Sequence, residues 1–221
     1  MQAAITAHDR GHKVTLLEAE SRLGGQLNIA SVPPHKHYIN WAREWFISEV
    51  NRRNIDVRFG FKADIISVQL LNPDLDIVAT GAVPITPPIP GIEYGVQAWD
   101  LLAGKVEIPK GKNVAVLGGG TVGCETAELL ATRGNKVTVF EMTDTVARGL
   151  EAANLLDLLE VLKELEVNVL VKSKVTQISK DLVITYENEG ETKQKAFDVV
   201  VMAFGQKSNC DELLRALEDS Y

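Results

Sequence analysis

The sequence is poor in cysteine and in positive charge. It has two cysteines in 221 residues, Cys124 and Cys210, and they form no C-x-x-C pair. This excludes a disulfide framework, a four-thiolate metal or iron–sulfur site and a thioredoxin-type redox pair. The formal net charge of −7 argues against a nucleic-acid partner, because phosphate backbones attract a basic protein face.

Signals for membranes, secretion and metals are missing as well. No apolar run approaches the roughly 20 residues of a membrane span, and the N-terminus lacks the charged-then-apolar order of a signal peptide. His35 and His37 share a polar loop, but two histidines without a further ligand nearby do not suggest a metal site. We therefore expect a cytoplasmic protein without a membrane partner or a bound metal.

The chain does contain an alternation of short β-rich runs with helical patterns, and it is 45% hydrophobic and 24% charged. This alternation predicts an α/β fold with a largely parallel sheet, and the length predicts one large or two smaller domains. In the first part of the chain we predict helices over residues 3–10 and 37–54, and strands over residues 13–18, 55–60 and 75–79. Trp41 and Trp45 are expected to pack into the core rather than to stack on nucleic-acid bases.

A stretch rich in proline and glycine, from Ala79 onward, precedes a second α/β pattern. For this second part we predict helices over residues 121–133 and 152–165, strands over residues 136–141 and 167–171, a hairpin turning near residues 188–190, and a last strand from Asp198. The corresponding domain limits are residues 1–105 for a first nucleotide-binding domain, 106–205 for a second, and 206–221 for a return to the first.

Residues 4–18 are repeated in residues 127–141. With an offset of 123, which superposes Glu18 on Glu141, seven of the fifteen positions are identical. The identical pairs are Ala4/Ala127, Arg10/Arg133, Gly11/Gly134, Lys13/Lys136, Val14/Val137, Thr15/Thr138 and Glu18/Glu141. Two nucleotide-binding units that arose by duplication explain this match. Chance within a shared α/β pattern is the alternative, and the identical acid at the strand end disfavours it.

The strongest motif is a Gly-x-Gly-x-x-Gly sequence between a predicted strand and a predicted helix. Gly118 permits a tight turn, Gly120 lets the backbone approach a pyrophosphate, and Gly123 lets the helix pack close to the strand. The helix N-terminus, at Thr121 and Val122, directs free N–H groups and a partial positive charge at phosphates. The alternative to a dinucleotide-binding loop is a glycine-rich turn with a purely structural role.

Glu141 follows Gly123 by 18 residues, at the predicted end of the second strand. At that position a carboxylate can accept hydrogen bonds from both ribose hydroxyls of an adenosine. A 2′-phosphate would be repelled there and would require a nearby arginine, yet the first basic residue after Glu141 is Arg148. The motif therefore predicts NAD(H) in preference to NADP(H).

A second candidate site follows the first copy of the repeat. Glu18 corresponds to Glu141 and is expected to hold another adenosine ribose. The glycine pair Gly24 and Gly25 would let a loop approach a ligand, and Arg22 could complement phosphate charge. The alternative to a ligand-binding role for this segment is an ordinary exposed turn.

Two further strand ends, at Thr80 and Gly81 and at Gly205, suit a close ligand contact or a chain crossover. Taken alone, both are more typical of a structural role.

The order of these motifs resembles that of a known family. It runs SRLGGQL, ATGAVP, AWDLLAGK, VLGGGTVGCETAELLA, VTVFE and AFG. It is similar to the C-terminal FAD- and NAD(H)-binding region of the NADH:flavin oxidoreductases related to 2,4-dienoyl-CoA reductase and trimethylamine dehydrogenase, which belong to the two-dinucleotide-binding-domain flavoproteins. The similarity covers essentially the whole chain.

The resemblance implies two nested Rossmann-like dinucleotide-binding domains, in which an inserted NAD domain splits an FAD domain. By motif, Glu18 would bind the FAD adenosine ribose. The other FAD contacts would be Arg22, Gly24, Gly25, Gln26, Leu27, Thr80 and Gly81. The residues in contact with NADH would be Gly118, Gly120, Thr121, Val122, Gly123 and Glu141. Gly205 would mark the return of the chain to the FAD domain.

The sequence departs from that family on the FAD side. Under the repeat offset Met1 aligns with Cys124, so the first strand and phosphate loop of the FAD unit are expected to be absent. The late Gly-Asp motif, the upstream FMN barrel and its cysteine cluster are also absent. We therefore expect an FAD-type unit truncated at both ends beside a complete NAD-type unit, which would bind NADH and carry little flavin. The expected partner is an upstream flavin and iron–sulfur domain of the same polypeptide.

Three functions stay open at this point. The favoured one is hydride transfer from NADH to FAD with onward electron transfer, in which the cofactors carry the chemistry and no side chain is identified as catalytic. A disulfide reductase of the same fold would need a C-x-x-C beside the flavin. A nucleotide-binding module without turnover is the third.

Overall fold

The computed structural model describes residues 1–218, with Asp211, Glu212, Ala216 and Glu218 placed by backbone alone. The chain divides into two compact units, of which the first comprises Met1–Val83 and the chain from Ser208 onward, and the second comprises Pro84–Lys207. The predicted C-terminal segment, residues 206–221, ends outside the described residues. The domain limits derived from the sequence stay predictions.

The helices are α1 (Gln2–Asp9), α2 (Leu27–Ala30), α3 (Tyr38–Arg52), α4 (Ile65–Leu71), α5 (Ala98–Leu102), α6 (Thr121–Thr132), α7 (Ala152–Glu164) and α8 (Asp211–Glu218). The strands are β1 (Thr15–Leu17), β2 (Asp56–Arg58), β3 (Ala82–Pro84), β4 (Val96–Gln97), β5 (Asn113–Leu117), β6 (Lys136–Phe140), β7 (Asn168–Leu170), β8 (Ser173–Ile178), β9 (Val183–Asn188), β10 (Glu191–Ala196), β11 (Val199–Met202) and β12 (Gln206–Ser208). Within residues 1–218, no helix combines the length and the apolar character that a membrane span requires.

The first unit has a small core around one pair of strands. Strand β1 runs parallel to β2, with Thr15 opposite Asp56. Buried apolar side chains from α1 and α3, among them Ile5 and Val50, pack with Ile55 just before β2. Of the side chains in this cluster, Val50 is fully buried.

Four charged residues of α1 and the end of α3 form what we call the Glu49 cluster: Asp9, Glu49, Arg52 and Arg53. The Arg53 guanidinium lies 2.6 Å from a carboxylate oxygen of Asp9 and 2.6 Å from one of Glu49. Hydrogen bonds from Arg52 and Arg53 lower the pKa of Glu49 to about 2. The Asp9–Arg53 ion pair therefore joins α1 to the end of α3. Glu49 holds the same arginine through a carboxylate that is ionised in the folded state.

The predicted core role of two tryptophans is wrong. On α3, Trp41 is 72% exposed and Trp45 is 53% exposed, whereas Val50 is fully buried. Trp41 precedes Val50 by nine residues, about two and a half turns of a helix with 3.6 residues per turn, so the two side chains point in opposite directions. The buried face of α3 is set by Phe46, Ile47 and Val50.

The predicted strand over residues 75–79 is also absent from the described structure, where these residues have no regular secondary structure. Leu75 is 76% exposed and Ile77 is 60% exposed. The apolar alternation is that of a strand, but no strand pairs with this segment within the described residues. A helix that the sequence did not suggest, α4, precedes it and is capped by Asp64, which accepts a hydrogen bond from the Ser67 N–H at 2.8 Å.

The second unit is built on a five-stranded parallel sheet in the order β4–β11–β5–β6–β7. Val116, in the central strand β5, lies opposite Val201 on one side and Val139 on the other. Helix α6 covers one face of the sheet, where Cys124 and Leu130 pack against this strand core. This parallel sheet confirms the predicted α/β fold.

The other face of that sheet packs against a three-stranded antiparallel sheet in the order β10–β9–β8. Phe140 meets Tyr186 and Phe197 edge to face, at centroid distances of 5.0 and 5.7 Å. Strands β9 and β10 form the predicted hairpin. Its turn residues Glu189 and Gly190 have φ values of +53° and +83°, as the favoured two-residue hairpin turn requires.

Candidate functional site

Side chains are excluded at one glycine of the loop between β5 and α6 and at one glycine in the first turn of α6. Gly118 has a φ of +103°, and a Cβ there would lie 2.4 Å from the carbonyl oxygen of Ala203. A Cβ at Gly123 would lie 1.9 Å from the carbonyl oxygen of Gly118. The chain therefore turns sharply out of β5, and the first turn of α6 packs directly on that turn, because both positions are glycine.

Gly120 differs from those two glycines because it faces open space. It is the residue before α6, with φ −64° and ψ 176°, and no side chain caps the helix. A Cβ at Gly120 would meet nothing within 4 Å. Next to it, the first helical residues Thr121 and Val122 have N–H groups without an intrahelical acceptor. This opening, the uncapped donors and the helix dipole fit the oxyanion of a phosphate.

The carboxylate of Glu141 is bound to the same loop. One of its oxygens accepts a hydrogen bond from the Gly119 N–H at 2.8 Å, and the other accepts one from the Thr143 N–H at 2.8 Å. A carboxylate offers about four acceptor positions, so two acceptor positions stay available for the hydroxyls of a ribose. The structure thus brings together the glycine loop and the acid that the motif predicts.

Gly119 is a site residue that the motif pattern did not identify. A Cβ there would lie 2.8 Å from Cβ of Glu141 and 2.8 Å from Val146. Its carbonyl oxygen accepts a hydrogen bond from the N–H of Ala147 at 2.7 Å. Ala147 is buried with a φ of +49°, so the loop after β6 folds back under the glycines. The run of three glycines in the sequence was the available signal.

The first basic residue after Glu141 is already paired. Arg148 donates a hydrogen bond to Asp144 at 2.6 Å. This guanidinium holds the pKa of the Asp144 carboxyl below its usual range. The positive charge of Arg148 is therefore offset within its own loop.

Cys124, at the start of α6, is a packing residue. Its side chain is fully buried, and its sulfur lies 3.4 Å from the Gly119 carbonyl oxygen. Burial raises the pKa of the thiol to about 12. The structure thus agrees with a small packing side chain and not with a thiol activated by the helix dipole.

In the first unit, two backbone hydrogen bonds of Glu18 have counterparts at Glu141, although the bond from Gly119 to Glu141 has no counterpart at Glu18 among the described residues. Glu18 accepts a hydrogen bond from the N–H two residues later, at Glu20, as Glu141 does from Thr143. The Glu18 N–H binds the Arg58 carbonyl of the neighbouring strand, and the Glu141 N–H binds that of Leu170. Each acid therefore ends a parallel strand with its carboxylate fixed by a local backbone donor.

The helix ends in the two copies of the repeat match as well. Gly11 and Gly134 both have a φ of +87°. The Gly11 N–H binds the carbonyl of His8, and the Gly134 N–H binds that of Ala131, which lies 123 residues further on. The internal repeat is therefore a repeat of backbone geometry.

The glycine pair of the first unit forms a tight turn leading into α2. Gly24 and Gly25 have φ values of +119° and +48°, and Leu27 is the first residue of α2. Arg43 of α3 packs beneath this turn, since a Cβ at Gly24 would lie 3.0 Å from its Cδ atom. Arg43 also donates a hydrogen bond to Asn28 at 3.2 Å. No sequence pattern pointed to Arg43.

The two predicted FAD-contact segments of the first unit, residues 24–27 and residues 80–81, lie side by side. A Cβ at Gly81 would come within 3.8 Å of the Gln26 side-chain nitrogen. Thr80 donates a hydrogen bond to the carbonyl of Asn209, and Gly81 accepts one from its N–H. Arg22 is exposed, and no hydrogen bond among the described residues joins it to Glu18.

Gly205 lies in the second unit, two residues after Ala203, whose carbonyl oxygen sits beside Gly118. It has a φ of +86° and open space at its Cβ position. In residues 1–218, no group of three or more histidine, cysteine or acidic side chains could hold a metal ion.

A parallel sheet with a glycine loop and a distal acid defines the Rossmann-like class of dinucleotide-binding folds. The sequence profile of the pyridine nucleotide-disulphide oxidoreductases matches residues 1–219. The chain belongs to that family.

Among known proteins, the NADH oxidase of Thermoanaerobacter brockii is 43% identical over 99% of this chain and 34% of its own length. The bilirubin reductase of Mediterraneibacter gnavus is 41% identical over 99% of this chain and 34% of its own length. The solved structure of 2-naphthoyl-CoA reductase with 2-naphthoyl-CoA has a TM-score of 0.89 at 25% identity, covering 98% of this chain and 33% of that one. These findings confirm the predicted resemblance, and the chain spans about a third of the length of these proteins.

Proposed function

We propose that this chain is the dinucleotide-binding part of a flavin-dependent NADH oxidoreductase. In the longer polypeptide, the nicotinamide cofactor would supply a hydride to FAD, and electrons would pass on to another centre. One observation carries the proposal: the open, uncapped start of α6 at Gly120 lies beside the Glu141 carboxylate, which two backbone N–H groups hold in place. The reductases and the oxidase that resemble the chain support it.

NADH would bind to the second unit. The pyrophosphate would lie against Gly120 and the N–H groups of Thr121 and Val122, where no side chain competes for these donors. Glu141 would accept hydrogen bonds from the adenosine ribose through its two unused acceptor positions. Gly118 and Gly123 would maintain the shape of the loop without binding NADH themselves, since any side chain at either position would clash with backbone atoms.

The second unit would prefer NADH to NADPH because Glu141 cannot easily move away. Two backbone N–H groups hold the two oxygens of its carboxylate, each at 2.8 Å. A 2′-phosphate would therefore meet a fixed negative charge. The nearest basic residue in sequence, Arg148, is engaged by Asp144, so it offers little compensation.

FAD would belong to the first unit, whose sequence is interrupted by the second unit. Glu18 would hold the FAD ribose, because its surroundings repeat those of Glu141. The turn at Gly24, Gly25, Gln26 and Leu27 would lie along the cofactor, with Thr80 and Gly81 beside it. Arg22 would supply positive charge, and Gly205 would mark the point in the sequence where the chain returns to the FAD-binding unit.

No Gly-x-Gly-x-x-Gly precedes Glu18 in these 221 residues, whereas one precedes Glu141. These 221 residues thus supply a phosphate-binding loop of this type for the second unit only, and we expect them by themselves to retain little flavin when purified. In the longer polypeptide, a further flavin and iron–sulfur domain would complete the electron path. Disulfide reduction is disfavoured because the two cysteines form no C-x-x-C pair.

Isothermal titration calorimetry with NADH and NADPH tests the assignment. We expect NADH to bind with a one-to-one stoichiometry and NADPH to bind more weakly. Glu141→Gln should weaken NADH binding and narrow the difference between the two cofactors. The control Glu187→Gln removes the same charge from an exposed position of β9 and should change neither affinity.

The outcomes separate the parts of the proposal. A folded chain that fails to bind NADH would overturn the NADH assignment, and equal affinity for the two nucleotides would overturn the preference. An absorbance spectrum with stoichiometric FAD would contradict the expected weak flavin retention, without affecting the NADH assignment.

A further inference from the structure

A cleft of about 300 Å³ lies in the second unit, away from the glycine loop. Its lining includes the first residues of three neighbouring parallel strands, namely Asn113 of β5, Lys136 of β6 and Asn168 of β7. The other lining residues are Asn135, Val137, Thr138, Leu165, Glu166 and Lys195. The cleft therefore opens at the amino edge of the sheet.

This position separates the cleft from the proposed NADH site. The glycine loop follows the last residue of β5, whereas the cleft begins at its first. At about 3.3 Å per residue, the five-residue strand places roughly 13 Å between the two edges. A dinucleotide at the carboxyl edge would leave the cleft free, so the cleft is a separate candidate site.

Lys195 is the central charged group of the cleft. Its ammonium nitrogen donates a hydrogen bond to the hydroxyl of Thr138 at 3.1 Å and lies 5.3 Å from the centre of the Phe197 ring. Its side chain is half-buried, and it forms no ion pair with any carboxylate in the described part of the chain. An ammonium group has three donor protons, so two of them are unused by these contacts.

The other polar groups add to the positive character of the cleft. Lys136 is exposed and forms no ion pair within residues 1–218, and the side chain of Asn168 has no hydrogen-bond partner there either. Glu166 is the single carboxylate of the lining. Asn113 and Asn135 already use their amide nitrogens on the carbonyls of Ala196 and Leu130.

We propose that this cleft binds a small molecule bearing a carboxylate or phosphate group, with Lys195 as the principal contact. The lining contains two lysines and one glutamate. A half-buried ammonium binds an oxyanion more strongly than an exposed one, because the local dielectric constant is lower. The volume suits a small metabolite and is at the lower end of ligand-binding cavities. This inference does not depend on the proposed function.

Nuclear magnetic resonance titration of the 221-residue chain with inorganic phosphate tests the proposal, with sodium chloride at equal ionic strength as the blank. Phosphate should shift the amide signals of Asn113, Thr138 and Asn168 in a saturable way. It should also shift signals of residues 118–123 if the glycine loop binds phosphate, and the two groups of signals report on the two proposals separately.

The matched variants are Lys195→Met and Lys193→Met, two changes of the same kind on β10. Lys193 binds Asn188 and Glu191 outside the cleft. Lys195→Met should weaken phosphate binding at the cleft roughly tenfold, since a charge-assisted hydrogen bond is lost. Lys193→Met should leave the phosphate affinity unchanged, and both variants should bind NADH as the wild type does.

Two results would overturn the proposal. The first is a wild-type chain whose cleft signals respond to phosphate no more than to chloride. The second is equal phosphate affinity in the wild type and Lys195→Met. If Lys195→Met does not fold, the wild-type titration still decides, because the shifts are assigned residue by residue.

Discussion

Replacing Gly123 by alanine would add a methyl group 1.9 Å from the carbonyl oxygen of Gly118. Carbon and oxygen atoms approach in proteins to about 3.3 Å, so the helix or the loop would have to move by roughly 1.4 Å. The obstacle is backbone, which cannot rotate away as a side chain can. Cys124 and Leu130 of α6 are fully buried in the core, so a shift of the helix would disturb its packing.

Overpacking of a dense core costs about 1–3 kcal/mol, and we expect Gly123→Ala to lie at the upper end of that range. At about 2–4 °C per kcal/mol, the midpoint of thermal unfolding should fall by roughly 6–12 °C. Circular dichroism on heating measures this change. A Gly123→Ala chain that unfolds at the wild-type temperature would refute the account of how α6 packs.

Gly120→Ala is the matched control, because it adds the same methyl group three residues earlier. Gly120 has backbone angles that alanine adopts without strain, and its Cβ position is open. Stability should therefore be unchanged or raised by about 0.4–1 kcal/mol. NADH affinity should fall roughly tenfold or more, because the methyl group would occupy the place proposed for the pyrophosphate. Undiminished NADH affinity would contradict that placement.

Three other experiments test Glu49 and Arg43 in the first unit and the buried thiol of Cys124. Because the pKa of Glu49 is about 2 in the folded chain and ordinarily 4.5, its contribution to stability is present above pH 4.5 and is lost as the pH falls towards 2. Glu49→Gln should remove this part of the pH dependence, and urea unfolding between about pH 3 and pH 6 will show whether it does. With its pKa raised to about 12 by burial, Cys124 should react with a thiol reagent only after unfolding, so native chain that titrates with two thiols would disprove its burial. Arg43→Met should speed amide exchange over residues 23–30 about fivefold, since one hydrogen bond beneath the glycine turn is lost. Mass spectrometry measures this exchange, and unchanged protection would show that Arg43 does not support the turn.

The elements that were predicted best from the sequence are those whose limits are set by neighbouring residues. The helix predicted over residues 121–133 is Thr121–Thr132, and the strand predicted over residues 136–141 is Lys136–Phe140. The helix lies between Gly120 and Gly134, and the strand is an apolar run that ends just before Glu141. Gly118 and Glu141 were identified because strand, turn, helix and acid follow each other at a fixed spacing.

The errors arise where distant parts of the chain decide the outcome. Trp41 and Trp45 have the apolar character of core residues. The buried face of α3 is nevertheless the one that packs against apolar side chains of α1 and of the segment around β2. Residues 75–79 alternate as a strand does, yet a strand needs a neighbour, and none pairs with this segment in the described structure. The role of Arg43 depends on a contact with Asn28, 15 residues away, and that of Gly119 on a contact with Glu141, 22 residues away.

The internal repeat links the sequence to the site because several of its identities fall where geometry restricts the side chain. Gly11 and Gly134 both have a φ of +87°, which disfavours other residues. Glu18 and Glu141 both accept a hydrogen bond from the backbone two residues later. Glutamine would lose the negative charge at either position, and at Glu141 it would also turn its amide nitrogen towards one of two backbone N–H donors. The two carboxylates are therefore oriented by the chain itself, before any ligand arrives. In the second unit Gly119 adds another N–H donor, which fixes the acid to the glycine loop. A preformed acid of this kind lowers the entropic cost of binding a ribose, because the carboxylate has no rotamers left to lose.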